Sequence, residues 1–576
     1  MMDRDVWVRA HDGTVLAFGR IPAEWGSVGM WEWAWAREGQ KPGRSTAERE
    51  RVRASERESG SAASSWKAVS LATDGTGRER VSRTATRDEP SGSPGSSSPS
   101  DALTLSRSSE PAPADLIALA HGGPVHFMGI CGAGMSALAE MVLRAGGRVT
   151  GCDAQPSEAA DHLRSLGAVV VEGHDPAHGQ DAVAVVATAA VPQDHAELVA
   201  ARKRGIPVVK RAQALAAVVN RGRLAAVAGT HGKTTTTAMT TEILAAAGLE
   251  PTGFVGGRVP TWGSGLRPGR DDLFVVEADE YDRSFLHLRP EAIVVTSVEA
   301  DHLDVYGSLE QVENAFAQFI GLLAPDGLVA ACTDDPGVQR LLRRADRAGV
   351  LRYGTGPEAE LRAAAIDLLA EGSRFRLVEG GEALGWIELR APGMHNVRNA
   401  LGAFALARHF GADLAAAQRA LADFDGVGRR FERLAAGNIA LVTDYAHHPT
   451  EIEATLAAAR GAFRDRRLVA AFQPHLYSRT KDFAADFGRS LAAADIVFVT
   501  DVYAARELPV PGVTGELVAD ATRRAGGRAV YYHPDITTLP ETLSAFLMPG
   551  DACIAMGAGS IDGAARALAR LLAGRA

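Results

Sequence analysis

The chain has 576 residues, room for three or four domains at roughly 150 residues each, which excludes a single small binding module. Hydrophobic residues make up 46% and charged residues 23%, and no apolar run is long enough to cross a bilayer, so the composition is that of a soluble globular protein without a membrane partner. The net charge of -9 argues against a nucleic-acid partner, whose phosphates are bound by clustered Lys and Arg.

Residues 1–120 read as a low-complexity extension. The first 110 hold six of the eight tryptophans (Trp7, Trp25, Trp31, Trp33, Trp35, Trp66), 18 serines and the tract SGSPGSSSPS, and carry no net charge, so the acidic excess belongs to residues 111–576. The stretch from Gly43 to Ser109 has too little apolar periodicity to offset the entropy of ordering and is expected to be disordered. The Trp-rich start reads either as a short docking element or as a reading frame opened upstream of the true start. It lacks the basic start and apolar core of a secretory signal. Cys131, Cys152, Cys332 and Cys553 are too far apart for CxxC metal spacing and too few for a disulfide scaffold, which suits a reducing cytoplasm.

From Pro124 strands and helices alternate, the pattern of parallel sheets with crossover helices. VHFMGI, RVTGCD, AVVVEG and AVAVVAT form a first series. LAAVAG, LFVVEAD and AIVVTSV form a second. IALVTDY, RLVAAFQ, DIVFVTDV, AVYYH and ACIAMGAG form a third. The expected architecture is therefore α/β with three tandem domains: a Rossmann-like domain over 121–220, a central P-loop domain with a mostly parallel sheet over 221–427 and a Rossmann-like C-terminal domain over 428–576.

In the first series a strand runs through Gly129 into Cys131-Gly132-Ala133-Gly134-Met135-Ser136-Ala137, a G-x-G-x-x-A turn opening a helix, and Asp153 ends the next strand. Such a turn seats a pyrophosphate on a helix N-terminus and brings an acid to a ribose; by itself it fits NAD. In the second series Gly229-Thr230-His231-Gly232-Lys233-Thr234-Thr235 lies between strand and helix. Backbone amides there suit phosphate oxygens, Lys233 supplies charge for the β/γ phosphates and Thr234 a hydroxyl for Mg²⁺, although Val227 stands where the strict motif has its first glycine. Glu277, Asp279, Glu280 and Asp282, then Glu299, Asp301, His302 and Asp304, end two later strands and are placed to hold Mg²⁺.

In the third series DYAHHPTE and FQPHLYSRT come after strands. Adjacent His447 and His448 invite a metal reading, weakened because i,i+1 side chains diverge and no further partner has suitable spacing. Arg479 reads either as a bidentate partner for a substrate carboxylate or as an ordinary surface arginine.

Over about residues 122 to 576 the chain resembles the Mur ligases, through GICGAGMSALA, GTHGKTTT, EADEYDRSF, EADHLDVY, PGMHNVRNA, GRRFE, DYAHHPTE, FQPHLYSRT, DVYAARE and MGAGSI in that order. The resemblance implies a UDP-sugar-binding first domain, a central ATPase domain and a closing C-terminal domain that binds an amino acid. The implied reaction is ATP-dependent, ADP-forming ligation of L-alanine to the lactyl carboxylate of UDP-N-acetylmuramate, in peptidoglycan precursor synthesis, by a monomer or homodimer. It implies UDP-sugar contacts at Gly129, Gly132, Gly134, Met135, Ser136 and Asp153. ATP contacts would come from Gly229 to Thr235, His395, Asn396, Asn399, Arg430 and Asp444, with Lys233 on the γ-phosphate. Mg²⁺ would be held by Thr234, Glu277 and His302. Tyr445, His447, His475 and Arg479 would shape the alanine site, with Lys233, His447 and Arg479 as the catalytic set.

Several relatives carry a lysine after the HLD segment. None occurs here between Lys233 and Lys481, which matches the alanine-adding branch. Leu476 replaces an arginine and Cys131 a glycine of some relatives. The competing readings are a sibling ligase that recycles a murein peptide, a nicotinamide dehydrogenase, which leaves the P-loop and both acidic clusters unexplained, and a non-catalytic nucleotide-binding protein, which the intact Lys233 and metal-ligand set disfavour.

Overall fold

The computed structural model describes residues 4–9, 15–21, 115–188, 191–345, 347 and 349–574. Arg4–Arg9 and Val15–Ile21 pair antiparallel, within the span expected to form no domain, while the tract expected to be disordered over 43–109 lies outside the described residues. Helix Leu116–Gly122 starts before the expected boundary at 121, because Asp115 caps its amides and Leu116, Ile117 and Ala120 are buried. Among the described residues no helix is long and apolar enough to cross a membrane.

The unit from residue 115 onward contains three sheets. The first is wholly parallel, in the spatial order Val169–Glu172, Val149–Asp153, Val125–Met128, Ala184–Ala187, Val208–Lys210. Its strand order reverses at Val125–Met128, the switch point at which such sheets bind nucleotides. The last strand was not among those expected from the sequence.

The central sheet has ten strands. Thr252–Phe254, Leu273–Glu277, Arg223–Ala228, Ala292–Val295, Leu328–Cys332, Val350–Gly354 and Leu361–Leu368 run parallel in that order. Ser373–Glu379 and Glu382–Leu389 extend it as an antiparallel meander that the sequence reading did not anticipate. Its strands alternate buried and exposed residues, a weaker signal than the continuous apolar runs of the parallel part. The C-terminal sheet orders Glu432–Leu434, Ala440–Asp444, Ala552–Met556, Leu468–Phe472, Ile496–Val499 and Val530–Tyr532, parallel except for its first strand.

The first sheet's core continues into one face of the central sheet, through Phe127, Ile130 and Leu138 to Phe254, Val276 and Phe285. Helix Lys233–Ala246 lies on the opposite face with Met239, Ile243 and Leu244 buried. Four threonines at 234–237 are poor helix formers; burial decides the conformation. Thr240 and Thr241 hydroxyls donate to the carbonyls of Thr236 and Thr237 at 2.8 Å, so these polar groups are satisfied inside the core.

Candidate active site

Arg223–Ala228, Leu273–Glu277 and Ala292–Val295 are neighbours, with Val227 opposite Glu277 and Ala228 opposite Val295. The segments leaving them therefore emerge at one carboxyl-terminal edge, and both acidic clusters are brought to the P-loop. Gly229 has φ +135°, and a Cβ there would lie 2.0 Å from Thr296 Oγ1, so no other residue fits. Gly232, at φ +81°, opens helix Lys233–Ala246.

Lys233 Nζ donates to the carbonyls of Gly229 (2.7 Å) and Thr230 (3.1 Å) and to both oxygens of Glu280 (2.9 and 2.7 Å). Burial pushes the Glu280 carboxyl up to about 7 despite the opposing pull of Lys233. Burial works against the Lys233 charge too, yet Glu280, Asp279 and Glu277 outweigh it and hold the amine above its ordinary value. Thr234 Oγ1 donates to Glu277 Oε1 at 3.0 Å, and Glu277 Oε2 accepts from Gly256 N at 2.8 Å. A hydroxyl and a carboxylate at the start of this helix are the hard oxygen donors that Mg²⁺ takes. His302 Nε2 lies 3.9 Å from Glu280 and 3.7 Å from Asp301; burial holds its pKa below the ordinary value, leaving a neutral imidazole.

A cavity of about 210 Å³ opens beside the loop, lined by His231, Gly232 and Thr235, by His395, Asn396 and Asn399, and by Arg430 and Asp444 of the C-terminal domain. All three expected sources of ATP contacts thus meet in one place. Burial lowers His395 to about 4, so it presents a neutral ring. Asn399 Nδ2 donates to Asn396 Oδ1 at 3.1 Å, and Asn399 Oδ1 packs where a Cβ on Gly232 would go. Asp444 accepts from Phe431 N and Ala446 N, both at 2.7 Å, which fixes the turn that carries Tyr445 and His447.

The central and C-terminal domains are joined by ion pairs. Arg479 donates to Asp301 at 2.5 Å, with both side chains buried; although burial opposes ionisation, Arg479 holds Asp301 well below the usual carboxylate range. The surface-arginine reading of Arg479 is thereby overturned, and its guanidinium is already engaged by a protein carboxylate. Glu451 lies 3.2 Å from His231 Nδ1, 3.2 Å from His447 Nδ1 and 3.5 Å from Arg430. Burial alone would lower His231, but Glu451 and Glu299 push it up to about 10.

The four residues expected at the alanine site form a chain. Tyr445 and His447 rings are 5.2 Å apart, His447 and His475 5.9 Å, and His475 Nδ1 is 3.3 Å from Arg479. Burial lowers His475 to about 3. His447 and His448 diverge as expected: His447 Nδ1 lies 2.9 Å from the Tyr445 carbonyl, while His448 faces Glu299 and Phe483.

In the first domain Gly129 takes φ +71° and Gly132 caps helix Ala133–Arg144. Asp153 accepts from Cys131 N (2.9 Å) and Gln155 N (3.1 Å), so it braces the loop. Met135 is 2% exposed and its side chain belongs to the core shared by the first sheet and the central one. Ser136 Oγ donates to Ala133 O at 3.0 Å. Lys210, Arg211 and Arg506, from the first and last domains, converge with Tyr281 and Asp282 on a second cavity of about 160 Å³.

Residues 124–223 match the Mur ligase family catalytic domain, residues 227–407 the Mur ligase middle domain and residues 429–559 the Mur ligase glutamate ligase domain. The chain is 47% identical over 440 residues to a UDP-N-acetylmuramate--L-alanine ligase of Acidothermus cellulolyticus, covering 76% of this chain and 92% of that protein. The chain belongs to the Mur ligase family. A second such ligase, from Halorhodospira halophila, is 45% identical over 76% of this chain and 91% of its own. Among solved structures, a UDP-N-acetylmuramate-alanine ligase from Thermotoga maritima superposes with a TM-score of 0.69 at 30% identity, covering 79% of this chain and all of that one. A murein peptide ligase from Psychrobacter arcticus gives 0.60 at 26%, covering 78% and 99%.

The Mur ligase site contains pairings that sequence alone does not signal. Glu280, expected among the acids placed to hold Mg²⁺, instead pairs with Lys233. Glu451 stands four residues after His447 at the start of helix Pro449–Ala462, a spacing that signals a contact with His447 but not with His231. Lys210 pairs with Asp282 at 2.7 Å and Arg211 with Asp279 at 3.2 Å, contacts with no local signal.

Proposed function

We propose that this Mur ligase joins L-alanine to the lactyl carboxylate of UDP-N-acetylmuramate, with ATP converted to ADP and phosphate, as a step of peptidoglycan precursor synthesis in the cytoplasm. The observation that carries the reading is the single cavity on which the P-loop, the start of helix Met394–His409 and the C-terminal Arg430 and Asp444 converge. The amino acid is supported by the curated relatives, L-alanine ligases at 43–47% identity, and by the TM-score of 0.69 to a solved alanine ligase against 0.60 to a murein peptide ligase. The four cysteines are free, in keeping with a reducing compartment.

A carboxylate is a poor acylating agent. Transfer of the γ-phosphoryl group to it makes an acyl phosphate; the alanine amine then attacks the acyl carbon, loses a proton, and phosphate leaves. The protein's contribution is positioning and charge neutralisation. Lys233 exchanges Glu280 for the phosphate oxygens, and Glu280, at about 7, takes a proton instead of remaining a bare buried charge. Thr234 and Glu277, with His302, would hold Mg²⁺, whose charge neutralises the phosphates when bound. His395 and Asn399, at the start of helix Met394–His409, receive the adenine end. The glycine loop of the first domain and the cations Lys210, Arg211 and Arg506 lie on the path of an anionic sugar nucleotide. At the alanine site, Arg479 orients His475 and locks the two domains.

The amine must be neutral to attack. His447 Nδ1 faces two acceptors, the Tyr445 carbonyl and Glu451, which places the ring proton there and leaves Nε2 to receive the amine's proton. His447→Ala should lower kcat about 10²-fold; full turnover would remove this role. The activity itself is tested by phosphate release from ATP, which should require both UDP-N-acetylmuramate and an amino acid, with L-alanine best. Turnover without the sugar nucleotide, or none with L-alanine, would overturn the assignment.

A further inference from the structure

The first domain holds a polar cluster that the ligase reaction does not use. His126 and Cys152 lie on adjacent strands, His174 and His178 in the loop after the third strand, and Glu197 on helix Ala196–Lys203. Register pairs His126 with Thr150 and Met128 with Cys152, so the alternation of side chains puts His126 and Cys152 on one face of the sheet. Glu197 is 5% exposed, Cys152 not at all.

We propose that this cluster is a structural Zn²⁺ site with Cys152, His174, Glu197 and His126 as ligands. The first three form a triangle: Cys152 Sγ is 3.3 Å from His174 Nδ1 and 3.4 Å from Glu197 Oε2, and that oxygen is 3.4 Å from His174 Nδ1. Tetrahedral Zn²⁺, with bonds of 2.0–2.1 Å to nitrogen and about 2.3 Å to thiolate, has ligand-to-ligand edges of about 3.3–3.6 Å. The spacing of these three atoms is already that of one face of a coordination tetrahedron.

The fourth corner is supplied by His126. A ring nitrogen of His126 and a ligand atom from each of Cys152 and Glu197 all lie within 4.8 Å of one another. Its Nδ1 is engaged by Thr150 Oγ1 at 3.0 Å, whereas Nε2, in a side chain 1% exposed, has no hydrogen-bond partner among the described residues. A buried nitrogen left unpaired is unfavourable, and a metal bond would satisfy it.

One thiolate, one carboxylate and two neutral imidazoles balance the charge of Zn²⁺; binding releases the thiol proton that Glu197 otherwise accepts as a hydrogen bond. His178, 3.2 Å from the other Glu197 oxygen, orients that carboxylate from outside the shell. His174 and His178 remain 28% and 22% exposed, which leaves an entry path. The site also has a structural consequence: the Cys152 carbonyl accepts from Gly129 N (2.8 Å) and Ile130 N (3.1 Å), so a metal held at Cys152 stiffens the strand end from which the glycine loop hangs.

The test is titration of the full chain, stripped with a chelator under reducing conditions, with Co²⁺ alone. One equivalent should give a thiolate-to-cobalt charge-transfer band and the intense visible bands of a tetrahedral site, and Zn²⁺ should displace both. Cys152→Ser should abolish the charge-transfer band, Cys131→Ser should keep it, and His126→Gln should weaken Co²⁺ binding at least 10-fold with an unchanged circular dichroism spectrum. Absence of the band at one equivalent, its survival in Cys152→Ser, or its loss in Cys131→Ser would overturn the site. Should Cys152→Ser not fold, the His126→Gln titration decides by the same 10-fold criterion.

Discussion

The chain carries two glycine-rich turns, each between a parallel strand and a helix, and they are built differently. The first, Gly129–Ala137, is braced from nearby: its carboxylate, Asp153, lies 22 residues from the amide it accepts. The second, Gly229–Thr235, draws its partners from the whole chain. Lys233 meets Glu280, Gly232 packs against Asn399, and His231 meets Glu451, 220 residues away. A turn that only seats a diphosphate needs amides and close approach. One that must neutralise a moving phosphoryl group needs fixed charges from every side, and such charges are buried at a cost unless paired.

The comparison breaks most visibly at Lys233. Lys233→Ala should lower kcat/KM about 10³-fold, ~4 kcal/mol of transition-state stabilisation, in the phosphate-release assay. The fold should survive near pH 7 because Glu280, already at about 7, neutralises itself. A purified Lys233→Ala protein with wild-type turnover would show that this turn needs no fixed cation. Gly229→Ala comes next. Its Cβ would meet Thr296 Oγ1 at 2.0 Å and Ser297 N at 2.9 Å with φ at +135°, so urea unfolding should register a loss of about 2–5 kcal/mol.

A smaller effect separates the turns by pH. His231 is held up at about 10 in the folded chain against an ordinary 6.5, so its contribution to stability is fully present below pH 6.5 and is lost as pH rises toward 10. The Tm of the wild type should therefore fall more steeply than that of His231→Gln over this window; parallel curves would remove the Glu451 and Glu299 contacts from the account. Gly134→Ala should do least. The new Cβ would stand 3.0 Å from the movable end of Arg211, in the first turn of a helix that favours alanine, and the change should stay within about 1 kcal/mol. A loss as large as that of Gly229→Ala would erase the distinction between the turns.

The strings GTHGKTTT and GICGAGMSALA and the three runs of alternating strands and helices suffice to place both turns, the three-domain α/β architecture and the family, because glycine geometry and apolar periodicity are local properties. Motif order also named Thr234 with Glu277 and Asn396 with Asn399, pairs that the fold does bring into hydrogen bonds. Other matters were not legible. Pairing of Arg479 with Asp301 and of Glu451 with His231 depends on which edges face one another across a domain boundary, and the choice of Glu280 for Lys233 on which strand ends meet within the central sheet. The antiparallel meander over 373–389 was missed for the same reason, since its half-exposed strands carry a signal too weak to stand without their neighbours. Sequence by itself determined which chemistry the chain could hold, since that depends on residue types at short spacing. Only the tertiary structure decided which charges meet, because buried ions must find partners wherever packing brings them.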